Sequence, residues 1–154
     1  MKDIFSVTPW QLDFLTNAYI SKKLYEKHCY EADKKYGLTI NEGEVLLSIY
    51  LRGGESTARD IVEQNWISKS QISKSVERLT AMGFITQKTD EKDRRFVRLR
   101  LTDNADVVIA DLEKATSIFL EKMFEGLNEE EILQFNHLIE KVADNIRRTT
   151  NESA

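Results

Sequence analysis

The 154-residue sequence is poor in residues that crosslink or interrupt a chain: it has one cysteine, one proline and six glycines. Its single cysteine, Cys29, cannot form an internal disulfide, which fits a reducing compartment. With so few helix breakers, and with 41% hydrophobic and 31% charged residues, we expect one compact domain made mainly of helices. No apolar run approaches a membrane helix and the first ten residues lack a secretory leader, so we expect a cytoplasmic protein without membrane contact.

Signals for metal binding and catalysis are also missing. The two histidines, His28 and His137, stand far apart, and no His-x-x-x-His pair would place two ligands on one helix face. The sequence has no glycine-rich phosphate loop, no nucleophile elbow and no cluster of acid and base residues. We therefore expect no metal, no cofactor and no enzymatic activity.

Positive charge is concentrated in one segment of an acidic chain. The whole sequence has 22 basic and 26 acidic residues, which gives a net charge of −4. Residues 66–100 hold nine Lys or Arg and four Asp or Glu, so this segment carries +5 and the remainder −9. A cationic segment on an anionic protein predicts directed contact with a polyanion such as nucleic acid.

Capping residues and glycines divide the sequence into helices and one hairpin. A long helix is expected over residues 9–36, and glycines at 37, 53, 54, 83 and 126 mark helix ends. Helix starts are predicted by five capping pairs: Thr8 with Gln11, Thr39 with Glu42, Thr57 with Asp60, Ser68 with Gln71, and Asn128 with Glu131. Residues 84–88 and 97–101 read as two strands, joined by a loop longer than a tight turn.

The predicted fold is mainly α with a small β-hairpin wing. Residues 38–102 form a winged helix-turn-helix, flanked by helical dimerisation regions at residues 1–37 and 103–154. The flanking helices carry too much apolar surface to stay exposed, and a second copy of the chain would cover it with two-fold symmetry.

The order of a long helix, a winged module and two closing helices resembles the MarR (multiple-antibiotic-resistance regulator) family over nearly the whole chain, and three motifs match that family. They are Leu38-Thr39 with Val45-Leu46, then Ser-x-x-Val-Glu-Arg-Leu-x-x-x-Gly-Phe-Ile at 73–85, and Asp90-x-x-Asp93-Arg94-Arg95 followed by Val97-x-Leu99-x-Leu101-Thr102. Two positions depart from the family: Ala105 replaces a usual glycine, and a basic cluster before the wing is reduced to Lys88. The resemblance implies a homodimeric regulator, usually a repressor that a small ligand or cysteine oxidation releases from DNA.

Candidate DNA-binding residues lie on the helix after Ser68 and at the hairpin tip. The first turns of a recognition helix meet base edges, where Gln71 can pair with adenine while Lys69 and Lys74 contact phosphates. Arg95 is the candidate for the minor groove, with Asp93 holding its guanidinium. The full set is Ser68, Lys69, Ser70, Gln71, Ser73, Lys74, Arg78, Lys92, Asp93, Arg94 and Arg95. The alternative is a solvated helix face beside a weak surface ion pair. The expected partner is a double-stranded, pseudo-palindromic operator.

Five residues of the first helix are candidates for a small-molecule pocket: Trp10, Tyr25, His28, Cys29 and Tyr30. The resemblance places such a pocket between the dimer-forming helices and the winged module, and the expected effector is a small aromatic or anionic ligand. The same aromatic stripe is also typical of a helix core. Two further alternatives stay open: a redox-responsive regulator acting through Cys29, which needs an exposed thiol of low pKa, and a winged helix that binds protein. Burial is the commoner state of a free cysteine.

Overall fold

The computed structural model describes residues 9–64, 67–91 and 93–152, and these form six α-helices and three strands. In chain order they are α1 (Pro9–Lys35), α2 (Ile40–Tyr50), β1 (Glu55–Thr57), α3 (Ala58–Gln64), α4 (Lys69–Ala81), β2 (Ile85–Thr89), β3 (Val97–Leu101), α5 (Asp106–Met123) and α6 (Glu129–Glu152), with a 3₁₀ turn at Asp103–Ala105. The mainly α fold with a small β element is the one predicted. Within these ranges, no helix has the length and apolar character needed to cross a membrane.

Four of the five predicted capping pairs are confirmed, and Thr8 of the fifth lies outside the described residues. At α2 the Thr39 hydroxyl accepts the Glu42 N–H at 3.4 Å, and the Glu42 carboxylate accepts the Thr39 N–H at 2.8 Å. The same reciprocal bonds start the other three helices, at Thr57 with Asp60, Ser68 with Gln71, and Asn128 with Glu131. Each cap satisfies backbone N–H groups that the helix leaves unpaired, which is typically worth about 1 kcal/mol.

The β element is a three-stranded antiparallel sheet in the order β1-β3-β2. It contains one strand, β1, in addition to the two strands of the predicted hairpin. In β1, Glu55 lies opposite Arg100 and Thr57 opposite Arg98. On the other side of β3, Gln87 of β2 lies opposite Leu99. The Glu-Ser-Thr segment of β1 shows no alternation of apolar residues, and for that reason the sequence pattern did not reveal it.

The core of the winged helix lies between α2, α3, α4 and the sheet. Its largest fully buried side chains are Leu46, Ile49, Ile61, Ile72, Leu79, Ile85, Leu99 and, from α5, Leu112. Burial of each contributes roughly 1.5–3 kcal/mol. Tyr50, the last residue of α2, lies outside this core and is 38% exposed.

The chain divides into two compact units, one up to Phe119 and one from Leu120 onward. The first contains α1, the winged helix and most of α5. In the second, the rings of Phe124 and Phe135 pack edge to face with centroids 5.5 Å apart. Each unit leaves apolar side chains of a long helix exposed. They are Leu12, Leu15, Tyr19, Ile20 and Leu24 on α1, and Leu133, Leu138, Val142 and Ile146 on α6.

Candidate nucleic-acid interface

The first two turns of α4 present a polar face to solvent. Ile72 and Val76 point into the core, and the opposite face of the helix carries polar residues. The exposed side chains are Lys69, Ser70, Gln71, Ser73 and Lys74, which are the predicted recognition residues. The cap at Ser68 fixes where this face begins, because its side chain accepts the N–H of Gln71 at 3.3 Å.

Part of the side-chain amide of Gln71 is already hydrogen-bonded within the protein and is not available to a base. Its side-chain oxygen accepts the backbone N–H of Ser68 at 3.1 Å and the Ser68 hydroxyl at 2.8 Å. A bidentate contact with adenine needs both the oxygen and the NH₂ group of a glutamine amide. In this conformation, therefore, Gln71 offers DNA only its NH₂ group.

Arg78, another predicted DNA contact, binds the body of its own domain. Its guanidinium donates to both carboxylate oxygens of Glu42, at 2.8 and 3.0 Å, and to the Gly37 carbonyl at 2.8 Å. Glu42 is buried, whereas about half of the Arg78 side chain is exposed. One guanidinium nitrogen contacts both oxygens of a buried carboxylate and another contacts a backbone carbonyl, and these bonds hold α4 against α2. We therefore assign Arg78 to packing of the domain.

Two aspartates organise the loop between β2 and β3, which we call the wing loop (residues 90–96, with Lys92 outside the described residues). Asp90 accepts the N–H of Asp93 at 2.9 Å and donates its own N–H to the Phe96 carbonyl at 2.9 Å. Asp93 accepts the Arg95 N–H at 3.1 Å. The loop is longer than a tight turn, as predicted, and these bonds define its conformation.

At the tip of the wing loop, Asp93 grips the guanidinium of Arg95. The Arg95 Nε lies 3.0 Å from one Asp93 oxygen, and an Arg95 terminal nitrogen lies 2.7 Å from the other. These bonds lower the pKa of Asp93, which therefore stays ionised at neutral pH. The Arg95 side chain is nonetheless 86% exposed. The fork predicted from the sequence is present, and it holds one edge of an exposed cation while leaving the rest free.

Several other cations of the basic segment are paired within the domain. Lys88 contacts Glu91 at 2.6 Å, Arg98 contacts Asp90 at 2.6 Å, and Arg100 pairs with Glu55. Arg94 is exposed, and no partner is recorded for it within the described ranges. Because Glu42 and Glu55 come from outside residues 66–100, the segment's charge of +5 overstates the local excess. The exposed cations of this segment that contact no acidic side chain among the described residues are Lys69 and Lys74 on α4 and Arg94 in the wing loop.

One basic residue that the sequence did not single out lies beside α4. Arg59 of α3 lines a cleft of about 300 Å³ together with Lys69 and Ser73. Its Nε contacts Glu63 at 2.9 Å on the same helix. Arg59 lies outside the basic segment, so only the packing of α3 on α4 brings it to this surface.

The effector candidates of α1 separate into two groups. Tyr25 and His28 pack their rings on Phe119 of α5, with centroids 5.7 and 5.6 Å apart, and Cys29 is buried beside Thr116. Tyr30 is exposed, and its ring contacts the Lys34 ammonium instead. The side chain of Trp10 lies outside the described residues. Burial raises the pKa of the Cys29 thiol, which opposes the exposed thiolate that redox sensing needs.

Next to Cys29 lies a buried carboxylate that the sequence did not predict. Asp33 is 2% exposed, and its Oδ1 has no hydrogen-bond partner among the described residues. That oxygen packs against Gly43 so closely that a Cβ added there would lie 1.9 Å away. Asp33, Glu44, Tyr25 and Cys29 line a crevice whose walls stand too close to admit water. Burial first, then Glu44 and Glu42, raises the pKa of Asp33 to about 7.

No group of three or more His, Cys, Asp or Glu in the described parts of the chain is arranged to hold a metal ion. The polar features of the surface are those of a cationic helix face and an arginine-tipped loop.

Comparison with known proteins agrees with this geometry. Residues 38–105 match the winged helix DNA-binding domain family. The chain is 28% identical over 113 residues to the HTH-type transcriptional repressor MdtR of Bacillus subtilis (strain 168), covering 73% of this chain and 72% of MdtR. Its fold matches a MarR-family regulator from Silicibacter pomeroyi with a TM-score of 0.77 and 19% identity, covering 88% of this chain and 89% of that one. It also matches BpsR of Bordetella bronchiseptica, whose DNA binding is regulated by 6-hydroxynicotinic acid, with a TM-score of 0.66 and 21% identity, covering 86% and 98%.

Residues 38–105 are therefore those of a winged helix DNA-binding domain. Over most of its length the chain also shares the fold of the MarR-family regulator from Silicibacter pomeroyi.

Proposed function

We propose that the protein is a homodimeric repressor that binds a pseudo-palindromic operator. In each half-site α4 enters the major groove, and the wing loop reaches the neighbouring minor groove. The observation that carries this proposal is the exposed Arg95 guanidinium, gripped on one edge by Asp93. An oriented arginine suits the narrow, electronegative minor groove of A·T-rich DNA.

The remaining polar residues of the two elements have supporting roles. Lys69 and Lys74 flank the first turns of α4, where ammonium groups meet phosphates or base edges. Arg94 contacts phosphate beside the minor groove, and Lys92, which lies outside the described residues, remains a candidate for the same role. Arg59 is added to the phosphate-contacting set because it lies beside Lys69.

A second copy of the chain is the proposed cover for the exposed apolar side chains of α1 and α6. In this proposal residues 1–37 and 103–154 form the dimerisation region and residues 38–102 bind DNA. A soluble monomer would have to leave Leu15 and Leu138, more than half exposed, in contact with water. Two-fold symmetry would set the half-sites about one turn apart, roughly 34–36 Å.

Release from the operator is proposed to follow binding of a small molecule near Tyr25, His28 and Cys29. The support is their position where α1 packs on α5, together with BpsR, a protein of similar fold that responds to 6-hydroxynicotinic acid. A coupling of about 1–3 kcal/mol between the two sites would suffice for regulation.

The test is a titration of the promoter fragment upstream of the protein's own gene with wild type, Arg95→Ala and Arg147→Ala. Arg147 is an exposed arginine of α6 paired with Asp144, so it matches the charge change away from the wing. Because α6 belongs to the proposed dimerisation region, sedimentation is used to check that Arg147→Ala assembles like wild type. We expect Arg95→Ala to lose about tenfold or more in affinity with an unchanged thermal midpoint, while Arg147→Ala binds like wild type.

Two further results would count against the proposal. Wild-type affinity should fall steeply with salt because phosphate contacts release counterions, so a flat salt dependence contradicts groove binding. Sedimentation should show a dimer that Leu138→Asp converts to monomer, and a monomeric wild type would remove the two-fold operator from the proposal.

A further inference from the structure

The capping box at the start of α4 uses the side-chain oxygen of Gln71, which is an atom that recognition of adenine would need. The Gln71 Oε1 accepts two hydrogen bonds from Ser68, one from the backbone N–H and one from the hydroxyl. Since a backbone N–H only donates, the atom facing it must be the amide oxygen, and the orientation of the amide is thereby fixed. The Gln71 N–H completes the box by donating to the Ser68 hydroxyl.

Adenine presents an acceptor and a donor side by side in the major groove, and guanine presents two acceptors. Gln71 would have to give up the cap to offer the oxygen that adenine requires. With the cap intact, Gln71 offers only NH₂ hydrogens, and its neighbours Lys69 and Lys74 are donors as well. The nearest exposed carboxylate of the helix, Glu77, follows more than two turns after Lys69.

We infer that Gln71 is a positioning residue that holds the first turn of α4, and that the exposed face of α4 selects guanine through N–H donors. This inference rests on the proposed function, because it concerns how the same surface reads its operator. The lysines supply donors to guanine O6 and N7, and Gln71 keeps the backbone of the first turn where those lysines can reach the bases. The Ser70 and Ser73 hydroxyls can either donate or accept a hydrogen bond, so they do not favour one base over another.

The test begins with selection of binding sites from a randomised duplex pool by the full-length wild-type protein. The selected half-site is then remade with 7-deazaguanine or 7-deazaadenine at single positions, which removes one acceptor from the major groove. We expect at least one guanine whose replacement lowers affinity by about fivefold or more, and smaller losses at every adenine.

The same selection is repeated with Gln71→Ala and Gln71→Glu. Glutamate keeps the acceptor that Ser68 needs and is the usual partner in such a cap, so Gln71→Glu should recover the thermal midpoint that Gln71→Ala loses. Both variants should keep the wild-type base preference at every position. Gln71→Ala should weaken all sequences by a similar factor, whereas a base-reading residue would relax one position alone.

The outcomes separate this inference from the function on which it rests. Loss of an adenine preference at one position in Gln71→Ala would overturn the inference, as would a selected half-site without an essential guanine. A Gln71→Ala protein with the thermal midpoint of wild type would overturn the positioning role. If wild type selects no sequence from the pool, the proposed operator binding itself fails.

Discussion

Replacing Asp33 with asparagine should stabilise the protein above neutral pH, because the substitution removes a buried charge without changing side-chain shape. The pKa of Asp33 rises from the ordinary 3.8 to about 7 in the folded state, chiefly through burial. Between these values the folded state holds a proton that the unfolded state has lost. The free energy of unfolding therefore falls as the pH rises from about 4 to 7, and the contribution of Asp33 is constant outside that window.

The expected change in the free energy of unfolding follows from the difference between the two pKa values of Asp33. Each pKa unit corresponds to about 1.4 kcal/mol, so the interval from 3.8 to about 7 is worth up to about 4 kcal/mol. The walls of the crevice stand too close for water to offset this cost, and Oδ1 faces the Gly43 backbone instead of a donor. We expect Asp33→Asn to gain about 2–4 kcal/mol over wild type at pH 8 and much less at pH 4.5.

Urea denaturation at the two pH values measures the difference. Asp111→Asn is the matched control, because Asp111 accepts hydrogen bonds from Lys35 at 2.5 Å and Tyr36 at 2.6 Å, which lower its pKa. That variant should gain nothing at pH 8. An Asp33→Asn protein less stable than wild type at pH 8, or equally stabilised at both pH values, would refute this account of the buried carboxylate.

Three other substitutions or modifications test the packing directly. Gly43→Ala should destabilise the fold by about 2 kcal/mol or more in urea, since its Cβ would lie 1.9 Å from the Asp33 oxygen, and a neutral result would mean that α1 shifts freely there. Arg78→Met should cost about 2 kcal/mol by stranding the Glu42 carboxylate, less than a fully buried pair because Arg78 is half exposed. Cys29 should react with iodoacetamide at least about a hundred times more slowly in the native protein than in urea, and fast native labelling would reopen a redox role.

Local features of the fold were predictable because their causes lie within a few residues. The cap of α4 needs only Ser68 and Gln71, and the grip on Arg95 needs only Asp93 two positions earlier. The partners of Arg78 and Arg100 are Glu42 and Glu55, which are distant in sequence. A count of charges along the chain does not distinguish a cation used within the domain from one left for DNA.

Sequence reasoning predicted two roles for Gln71, and both require its side-chain oxygen. Capping and adenine recognition both suit a glutamine at that position, and only the geometry shows that the oxygen is already taken. Asp33 illustrates a different limit. A carboxylate near the end of a helix is ordinarily solvated, and only the absence of a side chain at Gly43 lets α2 close over it.

The contacts of Arg78 have a mechanical consequence. One guanidinium on α4 ties together the carbonyl just after α1 and a carboxylate in the first turn of α2. The last turn of α1 therefore cannot tilt away from α2 without pulling on α4 or breaking a charged bond. A displacement that begins beside Asp33, four residues before Gly37, would therefore reach the helix proposed to lie in the major groove through this side chain as well as through the packing of α2 on α4.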